Sequence, residues 1–136
     1  DTVLELFTTL PTSAGFVKVS GALVAGGEVQ GGFAWAPDGS RIAYVADLAT
    51  DGVFELFTTL PTTPGGNVVI SGTLVSGGGM GNFEWASDSS RVIYAATQVT
   101  ATALDLFSSL PTSSTGNAKI SVLVAFGAGL DSFSAR

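Results

Sequence analysis

The chain of 136 residues contains no cysteine and no histidine. Without cysteine there is neither a disulfide framework nor a thiolate metal site. Without both residues, the commonest general base, the Ser-His pair and the thiol nucleophile are missing, so catalysis has few parts to work with and no enzymatic activity is expected. Charge is scarce as well: 12% of residues, net −6, with Lys18, Arg41, Arg91, Lys119 and Arg136 as the whole basic complement. No basic stripe exists to neutralise phosphates, which argues against a nucleic-acid partner. No apolar run reaches the roughly 18 residues of a membrane-spanning helix. Asn67, Asn82 and Asn117 do not stand in N-x-[ST] sequons. Helical periodicity is missing too, because Gly or Pro interrupts every stretch long enough for a helix.

What remains is β-type material. The 18 Gly, the abundant Thr, Ser, Val and Ala, and 46% apolar residues describe short strands joined by tight turns around a real core, which excludes disorder. Scarce charge with much Thr, Ser and Gly fits an exported protein, extracellular or periplasmic; a mature chain of that kind has lost its signal peptide.

The strongest signal is a repeat. ELFTTLP at 5–11 returns at 55–61 and as DLFSSLP at 105–111, a period of 50 residues. Phe33-Ala34-Trp35 returns as Phe83-Glu84-Trp85 and as Phe133-Ser134-Ala135. APDGSRIAYVA (36–46) returns as ASDSSRVIYAA (86–96), and VSGALVAGG (19–27) as ISGTLVSGG (70–78). Such a period in β-type sequence marks units that bury their apolar faces by stacking on one another. The division is a partial unit over 1–31, whole units over 32–81 and 82–130, and the first strand of a further unit over 131–136. Both ends fall inside a motif and no initiator Met opens the chain, which reads as a piece of something longer.

Each unit predicts four strands. FAW (33–35) leads through the turn Pro37-Asp38-Gly39-Ser40 to RIAYVAD (41–47), whose alternation sets Ile42, Tyr44 and Ala46 against Arg41, Ala43 and Val45. Asp51-Gly52 turns into VFELFTTL (53–60), which Pro61 ends; the loop TTPGG leads to an outer strand over 67–75. This pattern of an aromatic-x-Trp strand, a Pro-Asp-Gly turn, a strand reaching Tyr and a Glu-Leu-Phe strand resembles the TolB-type, WD-like β-propeller repeat of bacteria. The resemblance covers nearly the whole chain, strongest over 33–60 and good over 83–107. It implies four-stranded antiparallel blades and repeats that act in protein–protein contact or as scaffolds, without chemistry of their own. Two and a half repeats make an incomplete ring, since propellers close with four to eight blades.

Several residues invite a chemical reading. Glu5, Glu55 and Asp105 hold one place in three copies, which a carboxylate ring for a cation or a sugar would require; the simpler expectation is a solvent-side residue alternating with Leu6, Leu56 and Leu106. Asp38 and Asp88 are expected to cap their turns, with Arg41 and Arg91 placed to pair with them. Asp47 and Asp51 lie four apart in DLATDG but lack the further acids of a calcium loop. Phe7, Phe57, Phe107, Trp35, Trp85, Tyr44 and Tyr94 form a repeated aromatic set; exposed it would stack sugars, and phasing with the strands favours burial between blades. No helix follows the Gly runs at 26–27 and 77–79, so they are not phosphate loops. The Thr/Ser/Pro loops could accept O-linked sugars as readily as form ordinary turns. No cofactor or metal is implied.

The ends are the places where the sequence points to partners. A partial unit at one end and a lone strand at the other leave open edges that proteins normally cover. The expected function is therefore a non-catalytic self-assembly module whose incomplete blades are completed by neighbouring copies, as an oligomer or a filament, through residues such as Leu4, Leu6, Val17, Val19, Leu130 and Phe133. The alternative is a ligand- or glycan-binding propeller fragment of a longer exported protein.

Overall fold

The computed structural model describes residues 3–9 and 15–121 of the chain. They form ten strands: β1 (Phe7–Thr9), β2 (Phe16–Lys18), β3 (Val29–Trp35), β4 (Ile42–Ala46), β5 (Glu55–Thr59), β6 (Val68–Val69), β7 (Met80–Trp85), β8 (Val92–Thr100), β9 (Ala103–Leu110) and β10 (Ser113–Lys119). The fold is all-β. Three antiparallel sheets result: β1-β2, then β3-β4-β5-β6, then β7-β8-β9-β10, each a meander in chain order. No helix among the described residues is long and apolar enough to cross a membrane.

The repeat is reproduced residue by residue in the registers. Phe33 faces Tyr44 and Phe83 faces Tyr94; Tyr44 then faces Phe57 as Tyr94 faces Phe107. Phe7, Phe57 and Phe107 stand opposite Lys18, Val69 and Lys119. Each third strand is anchored alike. Leu6, Leu56 and Leu106 donate their amides to the hydroxyls of Ser20, Ser71 and Ser121 at 3.2, 3.1 and 3.1 Å. Their carbonyls accept two consecutive amides each, Val19 and Ser20, Ile70 and Ser71, Ile120 and Ser121.

That anchor explains a departure from expectation. The outer strand predicted over 67–75 is paired only over Val68–Val69. Ser71 takes the Leu56 amide on its side chain, so the ladder stops there and the chain leaves for the next sheet. In the third copy the predicted Ser/Thr loop is instead a tight turn at 111–112 followed by β10, with a bulge between Ser113 and Ala118. The leading strands β3 and β7 also begin earlier than the aromatic motif, at Val29 and Met80, each with a register shift before the Phe.

The core lies between sheets. One cluster joins Leu6 and Val19, which flank β1 and β2, to Val29, Ile42, Tyr44, Ala46 and Phe57. The other joins Ala36, Ala43, Val45, Leu56 and Ile70 to Trp85, Val92, Tyr94, Ala96 and Phe107. Strand β4 contributes to both, its odd residues to one cluster and its even residues to the other, and all five of its residues are buried. The alternation read from the sequence therefore separates two cores, with only Arg41, ahead of the strand, reaching half-buried surroundings.

Candidate functional site: a repeated inter-sheet clasp and its open copy

The two interfaces between sheets use the same hydrogen bonds. Thr8 Oγ1 donates to the Pro61 carbonyl, and one repeat later Thr58 Oγ1 donates to the Pro111 carbonyl. Thr59 Oγ1 donates to Val19 O at 2.8 Å, as Ser109 Oγ does to Ile70 O at 2.6 Å. The hydroxyl of Tyr44 accepts the Gly21 amide at 3.3 Å, and that of Tyr94 accepts the Gly72 amide at 3.1 Å. Both tyrosine hydroxyls also bond the matching Asn67 and Asn117 side chains. Burial pushes the Tyr44 phenol up to about 12, only partly offset by the Gly21 amide, and pushes Tyr94 in the same direction. Among the described residues no buried side-chain polar atom lacks a partner.

The interface between the four-stranded sheets has two further bonds. Trp85 Nε1 donates to the Ala34 carbonyl at 3.0 Å, and Ser89 Oγ accepts the Asp38 amide at 3.0 Å. Ser89 holds a φ of 62°, the left-handed region where the first copy has Gly39 at 74°. A serine is disfavoured there; the bond from Asp38 is a gain that glycine could not supply.

The equivalent elements at the other end stand open. Trp85 is 6% exposed, whereas Trp35, expected to be buried, is 48% exposed. The reason is the neighbour: Trp85 lies against β3, and no described strand lies correspondingly against Trp35. Phe7, also expected inside, is 44% exposed. Phe57 and Phe107 stack on Tyr44 and Tyr94 at 5.8 and 5.7 Å, but no such tyrosine is beside Phe7, which meets Phe16 edge-on at 5.4 Å. Phe33 is 58% exposed and Phe16 is exposed as well, while Phe83 packs on the core.

The sequence-derived interface residues divide. Leu4 is exposed and Val17 half-buried, but Leu6 and Val19 are buried in the first core and unavailable to another chain. Leu130 and Phe133, with the segments 122–130 and 131–136, lie outside the described residues. The open surface that the structure adds is Phe7, Phe16, Phe33 and Trp35. No property of the tryptophan itself distinguishes Trp35 from Trp85; only the elements standing against each do.

The acidic residues are explained locally. Asp38 and Asp88 accept the amides of Ser40 and Ser90 at 2.9 and 3.0 Å, and hydrogen bonds from those serines lower both carboxyls below their ordinary range. They do not pair with arginine. Arg41 reaches inward to Thr58 Oγ1 and the Gly66 carbonyl, and Arg91 to Ser108 and the Gly116 carbonyl, because a guanidinium offers a fixed fork to several oxygens at once. Asp47, 1% exposed, holds the amides of Glu28 and Gly52 at 2.5 and 2.8 Å and so shapes its loop. Of the supposed carboxylate ring, Glu5 pairs with Lys18, and Asp105 pairs with Lys119 at 2.9 Å and accepts from Ser121 at 3.0 Å. Asp105 is buried, against the expectation of a solvent-side position. Where the other copies have lysine, Val69 stands opposite Phe57; Glu55 is half-buried and burial raises its carboxyl. Among the described residues no group of three or more acids could hold a metal ion.

A shallow groove of about 460 Å³ runs between β3 and β7, lined by Gln30–Ala34, Val45 and Met80–Phe83. No charged residue lines it. Compared with protein-family models, curated proteins and solved structures, the chain matches none.

Proposed function

We propose that this chain is a non-catalytic structural module, an arc of propeller-type blades whose end units are completed by neighbouring copies of itself. The observation that carries the reading is the recurrence of one interface. Sheets of this chain clasp each other twice through matched bonds, while Phe33 and Trp35, on the β3 face that the two-stranded sheet covers only in part, and Phe7 and Phe16 on that small sheet stay uncovered. At the opposite end, Ile93, Leu106 and Ile120 are the counterparts of Ala43, Leu56 and Ile70; the latter are buried against the next sheet, the former are half-buried or exposed. Open apolar surface of this kind on two dissimilar faces suits head-to-tail contact, which extends into a filament unless its rotation closes. Scarce charge with much Thr, Ser and Gly suits an exported setting, extracellular or periplasmic.

Sedimentation velocity over a wide concentration range tests this. Mass should rise with concentration, and a Phe7→Asp, Trp35→Asp double variant should stay monomeric with its fold intact by circular dichroism. A wild-type monomer at every concentration would refute it. The uncharged groove between β3 and β7, with Phe33, Phe83, Gln30 and Asn82 on its walls, favours a second reading as a site for a neutral glycan. Binding of a neutral oligosaccharide by the monomer, abolished by Phe33→Ala, would support that reading instead.

A further inference from the structure

We propose that Trp35 and Phe33 form a receptor for one particular β-strand, residues 131–136 of a second copy, whose Ser134 carbonyl takes the Trp35 indole N–H. The inference rests on the assembly reading above and names the segment that does the joining.

The template is the interface between the four-stranded sheets. There β3 lies beside β7, and Trp85 Nε1 donates to the carbonyl of Ala34, the middle residue of Phe33-Ala34-Trp35. Moved back by one repeat, the donor becomes Trp35, and the acceptor becomes the middle carbonyl of a Phe-x-x strand in a preceding unit. No described residue accepts from Trp35. The one further Phe-x-x segment in this register is Phe133-Ser134-Ala135, 50 residues after Phe83-Glu84-Trp85.

The sequence of that segment suits an acceptor strand. It keeps the phenylalanine, and Ser134, like Ala34, is small enough to let an indole approach the backbone. It has Ala135 where the other copies have tryptophan, so it has lost the donor that would tie it to Glu84 as Trp85 ties β7 to Ala34. It offers a carbonyl to a neighbour while making no indole bond of its own. The surface it meets is neutral, since Gln30, Gly31 and Gly32 precede Phe33, and the exposed Phe33 ring offers an apolar wall. An exposed indole N–H with no acceptor among the described residues gains most when it meets a backbone carbonyl across an apolar contact, away from water.

Fluorescence quenching reads this directly, because the chain has two tryptophans and Trp85 is buried. A chain truncated after residue 130 supplies an open Trp35 and no joining strand. Full-length Trp35→Phe supplies the strand and no receptor. Mixed with excess of the second chain, the first should show a several-fold drop in acrylamide quenching and a blue-shifted emission. Full-length Trp35→Phe carrying Ser134→Pro, which distorts the strand around the acceptor, should protect it less. Unchanged quenching in the mixture overturns the receptor, and if wild-type mass still rises with concentration the assembly reading survives without it. If mass never rises, both fail. Protection of Trp35 in the intact chain that is independent of concentration would place the segment on its own molecule and overturn the second-copy assignment.

Discussion

Trp35 and Trp85 occupy one repeat position in two environments, and truncating each to alanine should give very different losses. Trp85 is 6% exposed and Trp35 48% exposed, a difference of about 100 Å² of indole surface for a side chain that can bury ~250 Å². At about 25 cal/mol per Å² that is roughly 2.5 kcal/mol. Removing Trp85 also strands the Ala34 carbonyl, to which its Nε1 donates at 3.0 Å, for about 1 kcal/mol more. Trp85→Ala should therefore cost about 3 kcal/mol more than Trp35→Ala, with an absolute loss of about 3–5 kcal/mol, as for other core aromatics. Total stabilities run about 5–15 kcal/mol, so that loss is a large share. Urea unfolding followed by circular dichroism, at a concentration low enough to keep molecules apart, measures both. Should Trp85→Ala prove too unstable to study, Trp85→Phe keeps most of the packing and loses the hydrogen bond, and about 1–2 kcal/mol is expected. Equal losses at the two positions would mean that the stacking of β7 on β3 is not what buries the indole, and the reasoning would fail.

The buried phenols predict an alkaline limit. The folded Tyr44 value of about 12 stands above the ordinary 10.0, so the neutral phenol binds its proton more tightly in the folded chain. The contribution is complete below pH 10 and lost as pH rises from 10 to about 12; at ~1.4 kcal/mol per pH unit it is on the order of 3 kcal/mol, and Tyr44→Phe should flatten that part of a stability–pH profile. Thr59→Val keeps the shape but leaves the buried Val19 carbonyl without its donor at 2.8 Å, for a loss of about 1–3 kcal/mol in the same assay. Gly27→Ala should destabilise, since a Cβ there would meet the Asp47 carbonyl oxygen at 2.6 Å, whereas Gly31→Ala meets nothing within 4 Å and should be near neutral by thermal melting.

Much of the architecture was legible because a repeat states each element more than once. The turn after Ala36, the caps Asp38 and Asp88, and the pairing of the tyrosine strand with the Phe-Leu strand follow from residue types whose local geometry is fixed. What escaped was whatever depends on a neighbour. Identical Phe-x-Trp motifs gave one buried and one open indole, since burial comes from the adjacent sheet and not from the motif. The outer strands differ in length at their starts: β10 begins at Ser113, straight after the turn at 111–112, whereas β6 begins only at Val68, although Ser71 and Ser121 hold the Leu56 and Leu106 amides alike. Asp105 and Glu55 share a repeat position, yet only Asp105 has a lysine on the facing strand; the exchange of Lys119 for Val69 was visible in the sequence, but only the register gives it meaning.

Every clasp between sheets has a backbone group at one end: the carbonyls of Val19, Ala34, Pro61, Ile70 and Pro111, and the amides of Gly21, Asp38 and Gly72. A backbone acceptor is present whatever side chain the residue carries, so units can exchange Thr59 for Ser109, or Gly39 for Ser89, and still stack. Stability then comes chiefly from nearest neighbours. Strand β4, with a packed sheet on each face, is saturated, and the two-stranded sheet, packed on one described face, is not. The consequence is chemical as well as mechanical. Because the interior of this chain shows a Trp85 indole donating to the carbonyl of a small residue that follows a phenylalanine, the ligand proposed for the open copy has the same composition, a phenylalanine followed by a small residue.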